Sequence, residues 1–239
     1  MFKSIIDKRP FTSTREGYET WRNLVMSFGF GHKFGIDLPG ELNGNIPSSN
    51  YYDRYHGKNR WTSMAIISLA IGQGEIGITP LQLANLAALI SNRGFYYIPH
   101  IVKAIGKKNN LNKEFQAKHF CKIDPQYFPI VVEGMHDVMQ AGGTGFASRV
   151  DGIEICGKTG TAQNPHGKNH SIFIAFAPKD NPRIAVAVVI ENAGFGATYA
   201  APITTLMIEK YINREVKRKD VEQSMISGNL LYQGKIIDQ

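Results

Sequence analysis

GIEICGKTGTAQ, residues 152–163, supports two incompatible readings. As Gly152-x-x-x-x-Gly157-Lys158-Thr159 it spells a phosphate-binding P-loop. As an alternating run ending in Lys158-Thr159-Gly160-Thr161, it spells a β-strand with a polar tip. A P-loop wraps backbone N–H groups around phosphate and needs small, flexible residues in its four middle positions. Here those positions hold Ile153, Glu154, Ile155 and Cys156. β-Branched residues resist the positive φ angles of such a loop and favour a strand. Glu154 also sets a negative charge against a triphosphate. A P-loop must open a helix, yet Gly160, Pro165 and Gly167 follow within ten residues of Gly157. The strand reading survives and the nucleotide reading does not.

Working outward, two further apolar strands are expected, Ser171 to Ala177 (SIFIAFA) and Ile184 to Ile190 (IAVAVVI). Pro178-Lys179-Asp180-Asn181-Pro182 between them is a turn by composition. Links this short force antiparallel pairing. A last helix follows from about Ala201-Pro202 to Asn213. Upstream, TPLQLANLAALISNRG carries helix punctuation at both ends: Thr79 as N-cap, Pro80 in the first turn, Gly94 past the last. Its circumference is so apolar that burial is expected, with Leu81, Ala84 and Ala88 on one stripe and Leu83, Leu86, Ala87 and Ile90 beside it. Asp124-Pro125 opens another helix, with Phe128, Val131, Met135 and Val138 or Met139 inward, ending at Gly142-Gly143. Trp61 to Ile71 reads as a short apolar helix and Phe95 to Ile105 as a strand interrupted by Pro99. Phe28 to Ser49 reads as an ordered loop. The fold class is α+β, an antiparallel sheet covered by helices. Residues 1–213 form the folded portion and 214–239 a polar tail.

Bulk properties narrow the function classes. The 239 residues carry a formal net charge of +7, but the Lys and Arg are scattered, so no nucleic-acid partner is expected. Two cysteines, Cys121 and Cys156, are too few for a disulfide scaffold. No metal is expected: His166 and His170 have a metal spacing only on a helix, which Pro165 and Gly167 forbid. No signal peptide opens the chain and its longest apolar run is far too short to cross a membrane. A membrane anchor, if the protein has one, is therefore expected outside this chain. Cys156 is expected to be an inert thiol, and Glu75 to be structural.

The chemistry of the strand tip is specific. Lys158 supplies a fixed positive charge. Thr159 and Thr161 offer hydroxyls to a carboxylate. Gly160 lets an extended peptide lie against the backbone. The Thr161 N–H, off the sheet edge, can face a developing oxyanion.

Gly157 to Gln163 resembles the third motif of class B penicillin-binding proteins. Ser171 to Gly196 resembles the hairpin that follows it, Ser68 to Gly94 a Gly-Gln-Gly segment with its helix, and Phe28 to Glu41 the stretch before that. The similarity covers roughly residues 20–212 and is greatest to the elongation-type members. It implies a partial penicillin-binding protein/β-lactamase-like fold and a serine D,D-transpeptidase of peptidoglycan synthesis, needing no cofactor. It implies Lys158 as a catalytic residue and Thr159, Gly160 and Thr161 as substrate-binding. The implied partners are D-Ala-D-Ala stem peptides, β-lactam antibiotics and the cell-elongation machinery, at the periplasmic face of the inner membrane. The family's nucleophile lies in Ser-x-x-Lys, and no serine of this sequence has Lys three residues on. Ser48-x-Asn50 spells the second motif but lies in a polar stretch after Pro47, and is expected to be loop. This chain by itself is therefore expected to be inactive, and possible self-association through uncovered apolar surface is expected. A β-lactamase-like hydrolase and a non-catalytic binding module are the alternatives.

Overall fold

The computed structural model describes residues 2–58, 60–106 and 112–230. The elements in chain order are α1 (Phe2–Ile6), α2 (Thr14–Met26), α3 (Ser49–His56), α4 (Pro80–Ser91), β1 (Phe95–Tyr96), α5 (Lys113–Gln116), β2 (His119–Phe120), α6 (Phe128–Asp137), β3 (Cys156–Ala162), β4 (His170–Ala177), β5 (Ile184–Ile190), α7 (Ala200–Asn213) and α8 (Lys219–Ser227). They sort into two compact units, Met1–Gln82 with Phe95–Ile123, and Leu83–Gly94 with Asp124–Gln239. No helix among the described residues is long and apolar enough to cross a membrane.

The first unit is built on aromatic packing. Phe2, Ile6, Tyr18, Tyr52, Trp61, Ile66 and Leu69 form its core, and Tyr18 meets Tyr52 and Trp61 edge-on at ring separations of 5.3 and 5.7 Å, the geometry that aromatic quadrupoles favour. The expected loop is ordered by one carboxylate: Glu41 accepts N–H bonds from Phe34, Gly35 and Ile36. Glu75 takes the structural part expected of it, accepting from the Tyr52 hydroxyl at 3.1 Å.

Three readings change here. Trp61 to Ile71 is not a full helix; one 3₁₀ turn, Ile67–Ile71, forms. Its first half is tied by side chains instead, Trp61 Nε1 to Asp53 at 2.9 Å and Ser63 Oγ to Asp7 at 2.6 Å. The strand at Phe95 stops after Tyr96, before Pro99, and beyond the proline the Asp37 carboxylate takes the N–H groups of Ile101 and Val102, which are therefore not free for a ladder. Those N–H donors, Val102 foremost, hold the Asp37 carboxyl below its ordinary range. Ser48 precedes α3 and Asn50 lies in its first turn, accepting from Arg15 at 2.6 Å, so Asn50 is helical rather than loop.

Helix α4 is punctuated as expected. Thr79 Oγ1 accepts from the Gln82 N–H, and the Gln82 amide oxygen accepts from the Thr79 N–H, a reciprocal cap. Gly94 N–H returns to Leu89 O at 2.9 Å, closing the C-terminus. The most buried positions are Gln82, Asn85, Ala87, Leu89 and Ile90; Ala87 and Ile90 are among the positions expected inside, while Leu81, Ala84 and Ala88 of the stripe are half-buried. Gln82 tolerates burial because its amide donates to the carbonyls of His32 and Asn43.

The second unit is a helix-covered antiparallel sheet of order β3-β4-β5. The register pairs Thr159 with Phe173 and Phe173 with Val188. Alternation then puts Gly157, Thr159, Thr161, Phe173, Ala175, Val186 and Val188 on one face. That face carries the core, with Ala200, Ala201 and Ile208 of α7 and Met139, Val150 and Ile155 packed into it. Gly157 has a steric reason: a Cβ there would sit 2.4 Å from the Phe173 ring. In α6 the inward residues are Phe128, Val132, Met135 and then Met139, while Val131 is 44% exposed. The inward spacing of four, three and four residues is that of one α-helical face, and a 3₁₀ turn, Pro125–Tyr127, leads into the helix.

Part of the expected tail is structured. Lys219–Ser227 is α8, and before it Arg218 reaches back to Glu209 of α7. Residues 231–239 of that stretch lie outside the described residues.

Candidate active site

The Lys-Thr-Gly triplet lies inside β3, which extends to Ala162 rather than ending at the triplet. A turn and then β4 follow, not a helix, so no phosphate-binding loop exists here. Among the described residues β3 is an edge strand paired only with β4, and alternate N–H and C=O groups therefore face away from the sheet.

The register separates the side chains. Thr159 and Thr161 share the α7-covered face, whereas Lys158 and Gly160 share the opposite face with Ile172 and Ile174. Chemistry here is set around an edge, with cation and hydroxyls on either side of one backbone. Lys158 is exposed, its ammonium donating to Thr159 O at 2.6 Å. Thr159 and Thr161 are half-buried.

One further residue joins them. The Thr144 hydroxyl lies 3.0 Å from the Thr159 hydroxyl. Thr144 is presented by the Gly142–Gly145 turn after α6, where Gly145 N–H bonds to Val138 O at 2.8 Å. The turn is too tight for side chains at Gly143, where a Cβ would sit 2.3 Å from Asp137 O. Sequence reading marked this turn as a helix end and missed Thr144. Its partner lies fifteen residues further on in another element, and no local pattern records that pairing.

The scaffold around the edge is satisfied internally. Ser171, buried in β4, donates to Phe195 O at 2.9 Å and accepts from the Ala200 N–H, fixing the start of α7 to the sheet. Arg218 donates to Ser148 O and Arg149 O, beyond the Thr144 turn. Lys179 pairs with Glu133 at 2.7 Å; this bond holds the Glu133 carboxyl below and the Lys179 ammonium above their ordinary ranges. Cys156 is fully buried, and burial pushes its thiol up to about 12, so it stays protonated and unreactive at neutral pH. His170 opens β4 and accepts from the Asn192 N–H, while His166 sits in an exposed turn.

An antiparallel sheet under a C-terminal helix, with Lys-Thr-Gly on its edge strand, is the frame of a serine acyl-transfer fold. The chain belongs to the family described as the penicillin binding protein transpeptidase domain, which it matches over residues 11–209. It is 36% identical over 202 residues to the peptidoglycan D,D-transpeptidase MrdA of Acinetobacter baumannii, covering 77% of this chain and 30% of that one. It is 31% identical over 228 residues to MrdA of Haemophilus influenzae, covering 84% of this chain and 34% of that one. Among solved structures it is similar to Pseudomonas aeruginosa PBP2 in complex with WCK 5153, at TM-score 0.73 and 32% identity, over 85% of this chain and 45% of the other. It is also similar to PBP2 in the complex of PBP2 and MreC from Helicobacter pylori, at TM-score 0.66 and 26% identity, over 83% of this chain and 36% of the other. The chain thus spans about a third of the length of these curated relatives, and its fold is a partial penicillin-binding protein transpeptidase fold.

Proposed function

We propose that this chain is the substrate-binding part of a peptidoglycan D,D-transpeptidase whose serine nucleophile comes from outside these 239 residues. In that reading the serine attacks the D-Ala-D-Ala carbonyl of a stem peptide, D-Ala leaves, and an amine of a neighbouring strand takes the acyl group from the serine. β-Lactams acylate the same serine.

Each residue of this chain has a part. Thr159 and Thr161 donate hydroxyl hydrogen bonds to the substrate's terminal carboxylate. Lys158 adds fixed positive charge, and Gly160 lets the peptide approach the strand. The Thr161 N–H faces the oxyanion, a donor position worth about 3–4 kcal/mol of barrier in acyl-transfer enzymes. Thr144 orients the Thr159 hydroxyl towards the carboxylate.

The observation that carries the reading is the placement of Lys158 to Thr161 on an edge strand, with the Thr144 and Thr159 hydroxyls in contact. The curated relatives named peptidoglycan D,D-transpeptidase support the reaction. The PBP2–MreC complex supports a partner in the elongation machinery. Action on peptidoglycan sets the site outside the cytoplasm, at the periplasmic face of the inner membrane.

Incubating the chain with a fluorescent penicillin and resolving it on a denaturing gel tests the assignment. No labelled band is expected, because no serine here has Lys three residues on. A band mapped to a serine of this chain overturns it.

A further inference from the structure

Thr144 is exposed, yet the turn that carries it is held at both ends. At the α6 end, Gly143 N–H bonds to Gln140 O and Gly145 N–H to Val138 O, each at 2.8 Å. From there the backbone bonds run on: Phe146 N–H to Gly143 O, Ser148 N–H to Gly145 O and Arg149 N–H to Phe146 O, at 3.2, 2.9 and 3.1 Å. The far end is gripped by one side chain. Arg218 Nη1 donates to Ser148 O at 3.1 Å and to Arg149 O at 3.2 Å.

That grip is anchored on α7. Arg218 Nε donates to the Glu209 carboxylate at 2.9 Å and Nη2 to the Thr205 hydroxyl at 3.1 Å. Glu209 and Thr205 are both buried. The second Glu209 oxygen takes the Lys217 N–H at 2.9 Å, which holds the backbone beside Arg218 to the helix. All three guanidinium nitrogens are therefore in use. Their rigid planar fork reaches a carboxylate, a hydroxyl and two carbonyls at once, which a lysine ammonium on its flexible stem does not. A buried ion pair by itself adds little net stability over apolar packing. What this one adds is a fixed position for two successive carbonyls of the turn.

We propose that Arg218 is a positioning residue for the carboxylate site. By fixing Ser148 and Arg149 it sets Thr144, and through Thr144 the Thr159 hydroxyl. The proposal rests on the reading of Thr159 as a carboxylate ligand. The margin is small: the two hydroxyls are 3.0 Å apart, and a shift of about 0.5 Å or more ends the hydrogen bond. The segment after α7 thereby acts on the site without touching the substrate.

The test is the affinity of the whole 239-residue chain for a diacetylated Lys-D-Ala-D-Ala tripeptide, read by amide NMR at residues 158–162, with a melt of each variant. Arg218→Lys keeps a charge for Glu209 but loses the fork. It should bind about three- to tenfold more weakly, the worth of one neutral hydrogen bond, at a temperature where it is fully folded. Without peptide, its Thr144 and Thr159 amide peaks should already be displaced. Thr144→Ala should weaken binding by the same factor, and adding Arg218→Lys to it should weaken binding no further. Ile208→Val loosens the same unit from its core; it should lower the melt and leave the affinity unchanged. Unchanged affinity in Arg218→Lys, full additivity with Thr144→Ala, or an equal loss in Ile208→Val overturns the proposal and leaves the reading of the edge intact. A wild-type chain that does not bind the peptide at residues 158–162 overturns that reading, and the proposal with it.

Discussion

Replacing Arg218 with alanine should destabilise the sheet-bearing unit by about 3–5 kcal/mol. Arg218 Nε lies 2.9 Å from a Glu209 carboxylate oxygen, and Glu209 is 1% exposed. The same guanidinium donates to Ser148 O, Arg149 O and the Thr205 hydroxyl, at 3.1, 3.2 and 3.1 Å. Alanine removes all of these and leaves the carboxylate with the Lys217 N–H at 2.9 Å. Removing one partner of a buried ion pair typically costs about 3–5 kcal/mol, because the other charge stays buried without compensation. In a chain of this length each kcal/mol moves the melting temperature by about 2–4 °C, so the expected drop is about 6–20 °C. Arg218→Lys, which keeps the charge and loses the fork, should fall between. The double variant Glu209→Ala/Arg218→Ala should lose less than the sum of the singles. Calorimetry on the four proteins measures this. A drop below about 1 °C for Arg218→Ala would refute the reasoning, and with it the claim that the segment after α7 is anchored to the fold and braces the turn carrying Thr144.

Thr159→Val should leave stability within about 0.5 kcal/mol, since Thr144 is exposed and water can satisfy its hydroxyl; binding of a carboxylate ligand should weaken by about 1.5–3 kcal/mol, roughly 10–150-fold, measured by titration alongside a melt. Gly157→Ala should cost about 1–3 kcal/mol in denaturant unfolding, because its Cβ would overlap the buried Phe173 ring, whereas Gly160→Ala, with 3.2 Å to Ile172 Cβ, should cost less. With Ellman's reagent at pH 8, Cys156 should react only after denaturation. Its folded thiol, pushed up to about 12, is almost wholly protonated there, while the half-buried Cys121 reacts first.

Local chemistry was legible where it decides local structure. The change of period from 3.6 to 2 marked β3 to β5, Thr79 and Gly94 bounded α4, and the Pro-Lys-Asp-Asn-Pro turn set the hairpin. What escaped depends on partners distant in sequence. Asp37 captures the amides of Ile101 and Val102 across more than sixty residues, so the stretch after Pro99 does not resume the strand that the local pattern favours. Asp7 and Asp53 hold Ser63 and Trp61 where an apolar run suggested helix. Glu209 draws in Arg218 from a stretch whose charge suggested only solvent. The candidate site divides the same way: Lys158, Thr159, Gly160 and Thr161 are contiguous and readable as a motif, and Thr144 is not.

The central claim is that the Lys158–Thr161 edge binds the carboxylate end of a D-Ala-D-Ala peptide without reacting with it. An amide NMR titration of the chain with a diacetylated Lys-D-Ala-D-Ala tripeptide tests this most directly. Saturable shifts concentrated at residues 158–162 and at Thr144, weakened in Thr159→Val and leaving the peptide intact, are predicted. Shifts clustered elsewhere, unchanged in that variant, or a covalent adduct on any serine of this chain would contradict it.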